Sequence, residues 1–470
     1  MKSSSNSTRR DFFKKSSALG FTFIPAYLTS ARAQSNPKLP PSQRINLACV
    51  GVGGRASGVI PSLCRGGQAT PVALCDVDFE LPKNIGKILK AYPIAKRFHD
   101  FREMFDSMSK DIDAVSICSP DHTHFTAAVQ AMSLGKHVYV EKPLTRTFEE
   151  SEILIRAEKK FGVVTQMGNQ GHTGHGIDQF SKMVELGLCD NLTELAAWKT
   201  AGLWFMKRKD RAGKLPLSKD RIPSSLKNWD LWCGPRKMLP FNSLYHPFNW
   251  RGFHEYGMGM LGDWGAHILD YLHDKLEMGL PTEIKVQELA DYNKTLFPLA
   301  TQLSMHFPAR GEKRPALNMT WKDGDGCQPE IPTRLLSEGQ KAPKLAGGGT
   351  LLHGPDSSTA ILRAHHGAAP SLVSQNDQKK YETRLKEVPN SKLDHFASFI
   401  AACRGDGTTH SPFRIGGPLT QVFALGTIAQ YLNADLTFDP KKKQFVNNDT
   451  ANALLNPPAR KEWEGHYKLA

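Results

Sequence analysis

From Ile45 to Met167, short runs of strand character alternate with segments of helical period. Ile45–Val52, Thr70–Val77, Ala114–Ser119, His137–Glu141 and Val163–Met167 are the runs, and Ser57–Cys64, Glu80–Tyr92, His122–Leu134 and Phe148–Phe161 are the helical segments. Strands covered on both faces lose polar alternation, so the pattern predicts βαβ units around a parallel sheet over 44–165. Leu192–Lys199 reads as a further strand, and Asp263–Met278 as a helix with an apolar face, stopped by Gly279 and Pro281. Ile284–Leu289, Ala300–Phe307 and Leu317–Trp321 alternate in part, as strands of an antiparallel sheet with one covered face do. Helices are predicted over Leu393–Arg404 and Leu419–Leu432. The fold class is therefore α/β. A first domain built on a parallel sheet precedes a second α/β domain, 166–435, with a largely antiparallel open sheet, and 436–470 form a C-terminal extension. Residues 200–250 show little periodicity and many aromatics (Trp204, Trp229, Trp232, Phe241, Tyr245, Phe248, Trp250). Loops this long are usually functional or packed over something.

The N-terminus reads as an address. Arg9-Arg10-Asp11-Phe12-Phe13-Lys14, a modest apolar run from Ala18 to Leu28, and Ala31-Arg32-Ala33 stand in the order of a twin-arginine export signal and its cleavage site. The expectation is a signal over 1–33, a linker over 34–43, and an exported or periplasmic protein. No stretch has the length and apolarity of a membrane span.

A chain of 470 residues suits two domains, and 40% hydrophobic with 23% charged residues is a globular balance. The net charge is +14, but residues 1–33 hold six basic side chains and one acid, leaving +9 without them. The remaining Lys and Arg residues are dispersed, with no basic helix or interleaved aromatic patch, so nucleic acid is not an expected partner. The eight cysteines contain no Cys-x-x-Cys pair, and Cys49, Cys75 and Cys118 fall in strands as small buried apolar residues.

Two stretches carry chemistry. Gly51-Val52-Gly53-Gly54-Arg55-Ala56 closes the first strand and opens a helix, fitting the Gly-x-Gly-x-x-Gly/Ala fingerprint of a Rossmann domain. Its backbone would approach a pyrophosphate at the helix N-terminus. Asp76, 25 residues past Gly51, ends the second strand where a carboxylate binds the ribose 2′-hydroxyl. NAD is therefore expected over its 2′-phosphorylated form, with Arg55 as the one residue pointing the other way. Glu141-Lys142-Pro143 ends another strand, at the edge where an open parallel sheet binds ligands. Gly257–Gly262 then feed a helix on which Asp263 and His267 stand four apart, on one face. An acid and an imidazole so placed suit general acid–base work, His267 taking a hydroxyl proton as hydride leaves the same carbon. No third metal ligand accompanies the pair, so no metal is expected.

Together the glycine loop, Asp76, Ser119-Pro120-Asp121-His122-Thr123-His124, Glu141-Lys142-Pro143, and Asp263 with His267 resemble the Gfo/Idh/MocA oxidoreductase family, over residues 44 to about 435. The resemblance implies that Gly51, Gly53, Gly54, Arg55, Asp76, Ser119, Pro120, His124, Glu141 and Lys142 border the cofactor. It also implies that Lys142, Asp263 and His267 are catalytic, and that a dimer or tetramer forms. The insertion leading to Arg251, His254 and Tyr256 departs from the family pattern. Those three residues with Asn169 are the substrate-binding candidates, and Gln166 and His172 are weaker ones. The expected function is NAD-dependent oxidation of a ring hydroxyl of a sugar or polyol with tightly bound cofactor. One alternative is a redox-neutral NAD-dependent glycosidase, in which His267 or Tyr256 removes a C–H proton. The other is a non-catalytic dinucleotide-dependent sugar-binding protein.

Overall fold

The computed structural model describes residues 43–200, 215–355, 359–389 and 394–470. The expected export signal, most of the linker and Trp204 lie outside these residues. Among the described residues, β1 (Ile45–Val50), β2 (Ala69–Cys75), β3 (Lys96–Phe98), β4 (Ala114–Ile117), β5 (His137–Val140) and β6 (Thr165–Met167) form one sheet. Its strand order is β3-β2-β1-β4-β5-β6, with every pairing parallel. The order reverses at β1, so the ends of β1 and β4 open the crevice where such sheets bind ligands. The short edge strand β3, with its exposed Lys96 and Arg97, was not predicted. It carries no apolar run because one side faces solvent.

The second sheet is larger. It contains β7 (Glu194–Lys199), β8 (Glu283–Ala290), β9 (Ala300–Phe307), β10 (Leu317–Asp323), β11 (Gly348–His353), β12 (Ala360–Ala364), β13 (Ser371–Leu372), β14 (Leu436–Asp439) and β15 (Gln444–Phe445). The order is β13-β12-β11-β7-β10-β9-β8-β14-β15. All neighbours are antiparallel except β7 and β10. In β9 buried and half-buried residues alternate throughout, the signature of a sheet with one covered face.

Three pieces cross the expected domain boundaries. The helix Phe413–Leu432 is buried along most of its length, as its all-round apolarity requires. It packs on the Phe148–Phe161 helix of the first domain and on the Gly259–Ile268 helix of the second. The helix His395–Cys403 lies against Ala56–Leu63, placing Phe399 and Ile400 in the core of the first domain. The segment 436–470 is no appendage. Its strand β14 extends the second sheet beside β8, and its Trp463 is 1% exposed and packs on Phe101 of the first domain.

Candidate active site

The ends of β1, β2 and β4 enclose a cleft of about 520 Å³, with Gly51, Gly53, Gly54, Asp76, Ser119 and Pro120 along one wall. Gly51 has φ +75, and a Cβ there would stand 2.5 Å from the Ser119 nitrogen. A Cβ on Gly53 would stand 2.2 Å from the Pro82 Cβ. The loop is therefore a cradle that only bare backbone can form. Asp76 accepts hydrogen bonds from the Val52 N–H at 2.8 Å and the Asp78 N–H at 3.1 Å. Burial nonetheless pushes its carboxyl up from the ordinary range. Arg55 is engaged elsewhere: its Nε donates to Glu141 Oε1 at 3.2 Å, which ties it to the Glu-Lys-Pro corner. Glu141 also accepts from the Tyr139 hydroxyl and Gln170, both at 3.3 Å. These groups fit a dinucleotide with a free ribose 2′-hydroxyl.

The opposite wall comes from the insertion and the C-terminus: Trp232, His246, Pro247, Phe248, Trp250 and Trp463. Asp78, fully buried, anchors this wall by accepting from His246 at 2.9 Å and Ser225 at 3.2 Å. Arg460 donates to the Gly234 carbonyl at 2.9 Å and pairs with Asp230. Trp229, Trp232, Phe241, Tyr245 and Trp250 form a buried aromatic cluster with Phe253 and Tyr256. The indole N–H groups of Trp232 and Trp463 are buried and have no acceptor among the described residues.

At the far end of the cleft stands Asp263. Lys142 Nζ donates to its Oδ1 at 2.5 Å and to its carbonyl oxygen at 3.0 Å. Side-chain exposures of 11% and 15% leave this pair shielded but reachable. The helix begins at Gly259, ahead of the predicted Asp263, and ends at Ile268, so Asp263 is an interior residue and His267 lies one turn on. Burial, and next the Lys142 ammonium, hold His267 well below the ordinary histidine value, so its imidazole is neutral near pH 7 and keeps a lone pair that can accept a proton. Arg251 lies with its Nε 3.9 Å from Asp263 Oδ1, stacked 4.1 Å over the Trp250 ring.

Other expected site residues are placed differently. Tyr256 is fully buried. Its hydroxyl accepts from the Leu239 N–H at 3.3 Å and donates to the Lys237 carbonyl at 3.1 Å, and burial drives its pKa up. It is part of the aromatic core and is withdrawn as a base. The His254 ring, 4% exposed, packs 4.0 Å from Phe297 and is buried structure, contrary to its expected contact with substrate. His124, 1% exposed, bridges the Ser119 carbonyl at 2.8 Å and the Pro143 carbonyl at 2.9 Å, a strut behind the cofactor wall. Asn169 and His172 both bond the buried Asp270, at 2.8 and 2.9 Å, beneath the site. Gln166 is fully buried and donates to the His395 carbonyl.

Sequence reasoning missed Trp463, Asp78 with His246, and the pair His365–His366. His366 stacks on His267 with ring centroids 4.0 Å apart. The doublet His365-His366 was visible in the sequence, but nothing local linked it to a site 99 residues earlier.

Comparisons with known proteins agree with this architecture. Residues 45–169 match the family model described as "Oxidoreductase family, NAD-binding Rossmann fold". Residues 173–295 and 375–465 match its partner, "Oxidoreductase family, C-terminal alpha/beta domain". The chain is 32% identical over 197 residues to a glycosyl hydrolase family 109 protein of Solibacter usitatus, covering 40% of this chain and 44% of that protein. It is 30% identical over 118 residues to inositol 2-dehydrogenase of Salmonella typhimurium, covering 25% of this chain and 34% of that enzyme. The matches thus span less than half the length of these curated relatives. The WlbA dehydrogenase of Bordetella pertussis, solved with NADH and UDP-GlcNAcA, shares the fold. Its TM-score is 0.55 at 14% identity, over 84% of this chain and 99% of that one. The first domain is an NAD-binding domain.

Proposed function

We propose that this chain, which belongs to the Gfo/Idh/MocA family of NAD-binding oxidoreductases, oxidises a ring hydroxyl of a sugar or polyol and keeps its NAD bound throughout the cycle. The observation that carries the reading is the 2.5 Å contact of Lys142 with Asp263 at the end of the dinucleotide cleft, on the helix that also bears His267. Gly51, Gly53, Gly54 and Asp76 would hold the dinucleotide, which when bound supplies a hydride acceptor. Lys142 would donate a hydrogen bond to the reacting oxygen, and Asp263 orients that ammonium. Neutral His267 would take the hydroxyl proton. Arg251, at the cleft wall, would meet a further hydroxyl of the substrate.

Two features support retention of the cofactor. The insertion and Trp463 wall the cleft on its second side. Residues 1–33 read as an export signal, and an exported enzyme meets no pool of dissociable nicotinamide. A cofactor that stays bound must be restored within each cycle. Either a second carbonyl compound is reduced, or the first product is reduced again.

The similarity to glycosyl hydrolase family 109 proteins favours the latter as a second reading. The ketone formed at one ring carbon acidifies the neighbouring C–H, the glycosidic substituent is eliminated, water adds, and the ketone is reduced. One experiment tests both: purified protein is given a panel of free sugars, inositols and 4-nitrophenyl glycosides. Bound-nicotinamide fluorescence and 4-nitrophenol release are followed together. Fluorescence change with no aglycone release supports plain oxidation, and aglycone release with no net NADH supports the redox-neutral cycle. Protein that carries no nucleotide and turns over only with added NAD would refute retention.

A further inference from the structure

In the oxidation–elimination reading, a base other than His267 must take the proton beside the ketone, because His267 already holds the hydroxyl proton. Tyr256 is sealed in the aromatic core. Beside His267 stands His366, half-buried, in the loop after β12. The two rings are 4.0 Å apart with planes 20° from parallel.

The loop is rigidly built. The His366 N–H donates to the His267 carbonyl at 2.8 Å. Arg363, 1% exposed, donates to the Ile268 carbonyl at 2.5 Å and the His267 carbonyl at 3.2 Å, and also to the His366 carbonyl. Trp264 meets His267, His365 and His366 edge-on, with centroids 5.4 to 5.7 Å away. His365 Nδ1 and His366 Nδ1 lie 2.6 Å apart, a separation that needs one shared proton. That proton decides what His366 Nε2 can do. With it on His366 Nδ1, Nε2 is a bare lone pair and a base. With it on His365, Nε2 carries hydrogen and can only donate a hydrogen bond, so it is no base.

We propose that His366 is the second proton-transfer group of this site, removing the C–H proton next to the ketone, with His365 as the positioning residue that sets its tautomer. This rests on the redox-neutral reading above. In the step itself, the C–H electron pair becomes the new C=C bond and the bond to the glycosidic oxygen breaks. The electron pair leaves on that oxygen and the proton stays on His366, so the step needs no oxidant. The charged groups around His366 are Lys142, Arg363 and Asp270. Burial, then His365 and Lys142, hold its imidazole down to about 4, which leaves it unprotonated at neutral pH.

The test supplies the ketone ready-made. A panel of 4-nitrophenyl 3-ketoglycosides (gluco, galacto and N-acetylglucosaminyl) is mixed in deuterium oxide with the purified protein, its His366→Asn variant and its His365→Phe variant. Asparagine tolerates the left-handed backbone at this position, φ +58. Wild-type protein should speed 4-nitrophenol release and deuterium uptake at carbon 2. His366→Asn should lose about 10²- to 10⁴-fold of that acceleration and His365→Phe about tenfold, with bound nucleotide unchanged. Elimination within about threefold of wild type in His366→Asn overturns the proposal. If that variant loses its nucleotide, His365→Phe decides by the same criterion. Wild-type protein that eliminates from the ketoglycoside yet never reduces its NAD with any parent glycoside refutes the proposed function and leaves the role of His366 standing. Wild-type protein that accelerates neither reaction refutes both.

Discussion

Lys142→Met removes the ammonium that the site is built around and keeps most of the side-chain volume. Its Nζ makes two hydrogen bonds to Asp263, at 2.5 and 3.0 Å. Removing one partner of a shielded ion pair costs about 3–5 kcal/mol when the other charge is stranded. Here Arg251, 3.9 Å away, remains to offset the Asp263 charge, so the lower figure of about 3 kcal/mol is expected. The loss in turnover should be larger than stability alone explains. A positioned proton donor or acceptor contributes about 10²- to 10⁴-fold, or roughly 3–5 kcal/mol of barrier. Nucleotide binding should survive, because the cleft is walled by Gly51, Gly53, Asp76 and Trp463 and not by Lys142. Three measurements on one preparation separate these effects: nucleotide content by absorbance, urea unfolding, and single-turnover reduction of bound NAD by a reactive sugar. Turnover within about tenfold of wild type, or nucleotide lost along with turnover, would refute the reasoning.

Gly53→Ala places a methyl 2.2 Å from the Pro82 Cβ, so co-purified nucleotide should fall more than about tenfold while the protein stays folded. Arg460→Ala frees the insertion from its contacts with Gly234 and Asp230, and NADH should dissociate about tenfold faster in a displacement assay. His267 is held well below 6.5 and acts unprotonated, so turnover should be flat from neutral pH down through 6.5 and fall only at lower pH; an acid limb at 6.5 or above would oppose its role as base. Asp323, 3% exposed, has its carboxyl pushed up from 3.8 to about 7 by burial. A raised folded value means stability is full at low pH and falls as pH rises to about 7, by roughly 4 kcal/mol. Asp323→Asn should flatten that slope in urea unfolding between the unfolded value of 3.8 and about 7, with Asp121, also pushed up to about 7, keeping its own share.

The sequence showed what local spacing can encode. The glycine loop, Asp76, the Glu-Lys-Pro corner and the Asp263–His267 pair are each local patterns; the structure lines one cleft with Gly51, Gly53, Gly54, Asp76 and Asp263, and bonds Lys142 to the last of these. Helix Leu419–Leu432 was legible from its apolarity, but its true start at Phe413 was not, because Gly416, Gly417 and Pro418 in its first turns are poor helix formers. What long-range packing assembles stayed hidden. Trp463 reaches the cleft only because β14 carries the chain back beside β8. His366 meets His267 only because Arg363 pins a loop of the second sheet to the end of a helix. Tyr256 failed as a site residue for the converse reason. It stands five residues from Arg251, close enough in sequence to suggest one site, yet it turns into the aromatic core that holds the insertion together.

The most direct test is a crystal structure of the NAD-loaded protein with a bound sugar or polyol. The account predicts the pyrophosphate on Gly51–Gly54 and the nicotinamide ring beside Lys142. One carbinol carbon should lie about 3.5 Å from the ring's hydride-accepting carbon, its hydroxyl within hydrogen-bond reach of Lys142 and His267. A dinucleotide seated outside this cleft, or a sugar bound away from the Lys142–Asp263 pair, would contradict it.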